Sequence, residues 1–278
     1  MTKIIDTPVF KIENCMSTYP NGDTLPDIWV TEPVYDDDGK YAGREPLFLY
    51  SGADEGDAQG YDALDWGADF YNEAMSCTTE DAHERRVDCF RVAEILYRHA
   101  AGAGNEYAHL NLGYVYSYDR CEGKYWTCEL MGKNGLKPAE ECAAIQKTFP
   151  REERAFECFK CAAEADVVEA CYKLGDMYKR GRGCEANAKS AFEWYSQAVK
   201  LSDAGMEPPV ILGSIALRLG DAYEEGFGCK QSFENALKWY ERAVAGLEVA
   251  VRSGENWYSK PLRGARDGVK RCKQELAM

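Results

Sequence analysis

The sequence predicts an all-α fold of short antiparallel helix pairs packed side by side. Two residue patterns with helical spacing alternate along the chain, the intervals between them repeat, and a glycine turn recurs after successive pairs.

The first pattern is Ala-x-x-x-aromatic-x-x-Ala, found at Ala93/Tyr97/Ala100, Ala155/Phe159/Ala162, Ala191/Tyr195/Ala198 and Ala236/Tyr240/Ala243. These offsets fall on one side of an α-helix, so each set is a narrow stripe with one ring between two methyls. The second pattern is Leu/Trp-Gly-x-x-Tyr/Phe, at Trp66-Gly67, Leu112-Gly113, Leu174-Gly175 and Leu219-Gly220. Glycine inside a helix costs about 1 kcal/mol relative to alanine, so its return at one register needs a reason. Close approach of the partner helix, whose stripe ring nests in the gap, supplies one.

Ala93 to Leu112 and Ala155 to Leu174 each span 19 residues, while Leu174 to Ala191 and Leu219 to Ala236 each span 17. The uninterrupted unit is therefore 36 residues, the length of two short helices and two turns. Tyr178-Lys-Arg-Gly181-Arg-Gly183-Cys184 and Tyr223-Glu-Glu-Gly226-Phe-Gly228-Cys229 share one turn. Its first glycine suits the left-handed residue that ends a helix, and its second lets the chain reverse sharply.

Unit length, Leu-Gly-x-x-Tyr helix, Gly-x-Gly turn and alanine-stripe helix together resemble Sel1-like repeats, relatives of the tetratricopeptide repeat, over about Tyr61 to Val251. The resemblance implies a right-handed α-solenoid of antiparallel helix pairs. It also implies an intracellular bacterial adaptor that binds other proteins, without naming a partner. Cysteine-rich secreted relatives carry a regular disulfide in each unit, and the cysteines here do not recur in that way.

Residues 1–58 lack the repeat. Ile28–Val34 and Leu47–Tyr50 flank Asp36-Asp-Asp-Gly39 and read as a β-hairpin or extended arm around an Asp-Gly turn, though Pro33 and Pro46 weaken the strands. Residues 59–251 hold about four repeats, lengthened near 76–86, 119–150 and 201–209. Of these, 119–150 is the largest insertion and carries Cys121, Tyr125, Trp126, Cys128 and Cys142. Insertions in such arrays map to loops. Residues 252–278, rich in Arg and Lys, should form a polar helix that caps the open end.

Forty-five per cent apolar and 29% charged residues describe an ordinary folded domain. A net charge of −14 argues against nucleic acid and anionic membranes, whose phosphates call for clustered cations. Met1–Phe10 lacks the apolar core of a signal peptide and no stretch is long enough to span a bilayer, so a cytoplasmic location is expected. The 12 cysteines should then be mostly reduced thiols.

No catalytic set, metal site or cofactor site is expected. Cys158-x-x-Cys161 lies within a stripe helix and has no second ligand pair. His83, His99 and His109 read as surface or turn residues without an orienting partner. The alternatives kept open are a thiol-based metal or redox sensor and a pocket using His99 or His109. The leading expectation is a non-catalytic scaffold that takes a protein or peptide partner through its groove and the 119–150 insert. If the Leu-Gly helices line that groove, it is lined by Tyr61, Tyr71, Asn72, Tyr107, Tyr114, Ser117 and Tyr118. Beyond these come Glu169, Asp176, Lys179, Arg180, Asp221, Glu224 and Glu225. Tyrosine suits an interface because it joins apolar area to few rotamers and a hydroxyl.

Overall fold

The computed structural model describes residues 9–52, 57–133, 135–204 and 207–278. It divides into two compact units, 1–155 and 156–278.

Unit 1 opens with three antiparallel strands in the order β1 (Val9–Thr18), β2 (Thr24–Tyr35) and β3 (Tyr41–Tyr50). The expected hairpin is β2–β3. Its turn is fixed by the Asp36 carboxylate, which accepts from the amides of Asp38 and Lys40 at 3.1 and 2.8 Å, with Gly39 at φ 73°. Strand β1 is an addition to that expectation, since its sequence carries no alternation strong enough to announce it. Period-2 alternation sends Ile28, Val30 and Phe48 into the core and leaves Trp29 and Leu49 paired on the outer face.

Helices α1 (Tyr61–Ser76), α2 (His83–Gly102) and α3 (Glu106–Ser117) follow. Helix α2 is buried nearly all round, from Val87 to Gly102, as a helix enclosed by neighbours must be. The insert is ordered. It contains a 3-10 turn, a two-residue β4–β5 ladder (Met131–Gly132, Gly135–Leu136) and α4 (Ala139–Lys147). Cys121, Tyr125, Trp126 and Leu130 of the insert are core residues, which leaves only its remaining surface open to a partner.

Helix α5 (Arg151–Glu164) runs across the boundary between the units. Unit 2 continues with α6 (Val168–Arg180), α7 (Ala188–Ala204), α8 (Pro209–Glu225), α9 (Phe233–Arg252) and α10 (Ser259–Glu275). The residues added at 201–209 go largely into the helices: α7 and α8 each have 17 residues, against 14 and 13 for α5 and α6. Gly181 and Gly226 end α6 and α8 in the left-handed conformation, at φ 65° and 68°.

The glycine–ring fit accounts for the repeat. A Cβ on Gly67 would lie 2.6 Å from the Tyr97 ring, on Gly175 2.5 Å from Tyr195, and on Gly220 2.6 Å from Tyr240. Each stripe ring therefore occupies the space a methyl would need. Gly268 of α10 meets the Tyr240 ring from another side at 2.5 Å, so the last helix uses the same device.

Candidate functional site

Counted from the repeat glycine, positions −6, −2, +1 and +5 share one face of each Leu-Gly helix. On α1 these are Tyr61, Asp65, Ala68 and Asn72; on α3 they are Tyr107, Asn111, Tyr114 and Tyr118. On α6 they are Glu169, Lys173, Asp176 and Arg180, and on α8 Ser214, Arg218, Asp221 and Glu225.

The unit 1 face is aromatic. Tyr61, Tyr107 and Tyr118 are exposed at 58, 54 and 56%, and Asn72 is exposed beside the half-buried Tyr71. Tyr114 and Tyr118 stack with ring centres 5.9 Å apart and planes inclined by 6°. Arg120 ties the two helices together: its Nε donates to the Tyr71 hydroxyl at 3.1 Å and its guanidinium lies 5.1 Å from the Tyr118 ring centre. Ser117 is half-buried, and its carbonyl accepts from Arg151 at 3.3 Å. The structure thus brings Tyr71 and Tyr118 together around one cation, with Tyr114 stacked on Tyr118 and Tyr61 and Tyr107 as open rings.

The unit 2 face differs, because most of its charges are paired within the repeat. Tyr195 and Tyr240, buried as stripe rings, donate their hydroxyls to Asp176 at 2.9 Å and Asp221 at 2.8 Å. Asp176 also receives the Arg218 guanidinium through two bonds of 2.7 and 2.5 Å. Burial raises the Asp176 carboxyl, but Arg218 and Tyr195 together hold it below the usual carboxylate range. Asp221 has no such cation, and burial pushes it up. Lys179 pairs with Glu225 at 3.5 Å, and Glu224 holds Arg271 through two bonds of 2.7 Å and the Tyr240 hydroxyl at 2.5 Å. Glu169 accepts from Tyr172 at 2.9 Å, while Arg180 stays exposed. Asp176, Asp221 and Glu224, expected in the groove as binding acids, are therefore acceptors for buried tyrosines.

Sequence reasoning missed the −2 position. Lys173 and Arg218 lie there, and burial with the neighbouring Arg218 lowers the Lys173 amine to about 8. Only two of the four repeats carry a cation there, with Asp65 and Asn111 in the others, so the position gave no repeating signal. It also missed Glu94 and Arg98, which stand inside the most buried helix. Glu94 accepts the Trp126 amide at 2.9 Å and the Tyr116 hydroxyl at 3.0 Å, and Arg98 donates to the Trp126 carbonyl at 2.8 Å. Two buried charges on α2 thus hold both backbone polar groups of one insert residue.

The histidines also need correction. His99 is fully buried, its Nε2–H donating to the Pro26 carbonyl at 2.9 Å and its Nδ1 bonded to the Tyr19 hydroxyl at 2.8 Å. His109 is half-buried and burial lowers its ring, whereas His83 is exposed beside Glu122 at 3.3 Å. Cys158 is half-buried, Cys161 exposed and Cys171 buried, and all described cysteines are free thiols. Burial pushes the thiols of Cys89 and Cys171 up to about 12 and raises Cys161, the opposite of what a reactive thiolate needs. Among the described residues no group of His, Cys, Asp or Glu is arranged to hold a metal ion, and no helix is long and apolar enough to cross a membrane. The cations of α10 face acids: Arg266 pairs with Glu248 at 2.7 Å and Lys273 with Glu241 at 3.2 Å.

Alternating glycine and ring helices, joined by left-handed glycine turns, define a helix-pair repeat protein. Residues 150–167, 168–203 and 216–246 match the Sel1 repeat family, so this part of the chain carries three Sel1 repeats. Among solved structures it is similar to a Sel1 repeat protein from Oxalobacter formigenes, at 23% identity and a TM-score of 0.36 over 54% of this chain and 88% of that one. It is also similar to c5321, a protective antigen of uropathogenic Escherichia coli strains displaying an SLR fold, at 16% identity and a TM-score of 0.30. That match covers 77% of this chain and 61% of the antigen. No curated protein matches the chain. Sel1 repeats serve in general as protein–protein interaction scaffolds.

Proposed function

We propose that this chain is a non-catalytic scaffold that binds an extended segment of a partner protein on the α1–α3 face of unit 1. The observation that carries the reading is the exposed Tyr118 ring stacked on the half-buried Tyr114, flanked by the open ring of Tyr107. Large rings held in place by stacking lose little entropy on binding, and their hydroxyls reach backbone groups of a ligand. Tyr61, Tyr71, Asn72 and Ser117 extend the same face. Asp65 gives it a negative character that favours a basic, aromatic-containing segment. In unit 2 the corresponding charges already serve one another, so Asp176, Lys179, Arg180, Asp221, Glu224 and Glu225 are secondary contacts at most. Free thiols suit a reducing compartment, which supports a cytoplasmic location.

Replacing Tyr114 and Tyr118 together by alanine should abolish capture of the native partner from a lysate of the source cells, while the thermal melt stays close to wild type. Capture of the same proteins by both forms, identified by mass spectrometry, would remove this face from consideration.

A further inference from the structure

His99 is fully buried and bonded through both ring nitrogens to groups of the N-terminal sheet and its β1–β2 turn. Its Nε2–H must be the protonated nitrogen, because the Pro26 carbonyl of β2 can only accept. Its Nδ1 then accepts from the Tyr19 hydroxyl in the β1–β2 turn. The imidazole is neutral and fixed in one tautomer. Tyr19 and Tyr50 pack edge-on against the ring, with centres 5.6 and 5.0 Å away. Tyr50 donates to Asp57 at 3.0 Å, and Asp57 in turn accepts the Ala63 amide at the start of α1. Gly52 and Gly102 leave room for Tyr19, since a Cβ on either would lie within 2.5 Å of it. The charged groups facing the ring are Arg98 on α2, Asp23 in the β1–β2 turn and Asp57 before α1; Arg98 pairs with Asp23 at 3.2 Å.

We propose that the Asp57–Tyr50–Tyr19–His99 cluster is an acid-labile clasp, holding the β1–β3 sheet on helix α2 at neutral pH and releasing it in mild acid. A proton on Nδ1 turns that atom from acceptor to donor, and the Tyr19 hydroxyl has to turn its own hydrogen away. That rearrangement is cheap. The cost that remains is a full charge buried beside Arg98, with no carboxylate bonded directly to the ring.

Burial and Arg98 lower the ring from 6.5 to about 4, against the opposing pull of the Pro26 carbonyl, Asp57 and Asp23. A released ring takes up a proton near 6.5, so the clasp is fully effective above that pH and weakens as pH falls toward 4. Between pH 7.5 and 5 the opening equilibrium of the sheet should rise about 30-fold. All three histidines, His83, His99 and His109, lie in unit 1, so unit 2 provides an internal reference. Opening bares apolar residues of the sheet that are buried in the closed state, Leu25, Ile28, Val30 and Phe48.

The test is amide hydrogen exchange on the full chain at pH 7.5 and 5, corrected for the intrinsic pH dependence of exchange. Protection at Ile28 and Val30 should fall about 30-fold, with Ile215 and Leu219 of unit 2 unchanged. His99→Gln keeps a donor toward Pro26 but cannot be charged, and its sheet should lose no protection between the two pH values. Unchanged protection in the wild type, or an equal fall in the variant, overturns the proposal. Should the variant lack a protected sheet at pH 7.5, the wild-type His99 ring resonance decides. A ring that stays neutral at pH 5 in the closed state supports the clasp, and one that titrates near 6.5 with β2 still protected refutes it.

Discussion

At the scale of single residues, the glycine in each Leu-Gly helix is a packing requirement. A Cβ on Gly220 would lie 2.6 Å from the Tyr240 ring, so an added methyl must displace a ring already fixed by Asp221, Glu224 and Gly268. Gly264 lies in the interior of α10 with nothing within 4 Å. The two positions separate propensity from packing. Gly264→Ala should stabilise by roughly 0.5–1 kcal/mol through helix propensity alone. Gly220→Ala gains the same propensity but overpacks, which costs about 1–3 kcal/mol or more, so it should come out destabilised. Urea midpoints of the two variants against wild type decide it, and equal stabilisation by both would show that the ring has room to move.

The same scale explains what was legible beforehand. The stripe rings and repeat glycines stand at fixed offsets, so their pairing could be read from spacing. The function of the next residue could not be read from spacing alone. Where the stripe ring is Tyr195 or Tyr240, position +1 is an aspartate that takes the hydroxyl. Where it is Phe159, which has no hydroxyl, the corresponding residue is Tyr114. Positions of identical register therefore do different work, and a hydroxyl on the ring does not by itself specify an acid, since Tyr97 faces a helix with Ala68 at that position. Arg218 and Glu94 were invisible for another reason. A charge among apolar neighbours reads as a surface interruption until its buried partner is known, and both partners lie far away in sequence.

Among the elements, the insert shows most clearly how tertiary bonds override local composition. Its Gly- and Lys-rich loops suggest mobility, yet Glu94 and Arg98 grip the amide and carbonyl of Trp126 and fix the segment on α2. Burial pushes the Glu94 carboxyl up, and Arg98 with the two donors works against that rise. Removing one partner of a buried charged pair costs about 3–5 kcal/mol because the other remains uncompensated. Glu94→Ala leaves Arg98 with only Asp23 as a carboxylate partner and the Trp126 amide without an acceptor. We expect a loss of that size, together with rapid tryptic cleavage at the exposed Lys124 and Lys133 under conditions where wild type resists. Resistance equal to wild type would mean that the apolar packing of Tyr125 and Leu130 holds the insert unaided.

For the molecule as a whole, the question is what holds α10 on the helix pairs before it. The chain carries a net charge of −14, and α10 places Arg266, Arg271 and Lys273 against acids of α8 and α9. That charge match suggests an electrostatic hold, but the magnitudes point elsewhere. Exposed ion pairs contribute about 0–1 kcal/mol each and weaken with salt. Burying a leucine contributes about 2 kcal/mol, and Leu262, Ala265 and Cys272 are all buried in one cluster with Tyr240 and Leu247. Helix α10 should therefore be held by its apolar seam, with the charges setting its register. Leu262→Ala is expected to lower stability by roughly 2–4 kcal/mol, and Arg271→Gln by less than about 1 kcal/mol. Denaturant unfolding at low and high salt provides the check. If Arg271→Gln proved the more damaging, or if salt erased the difference between wild type and Leu262→Ala, α10 would be held by charge after all.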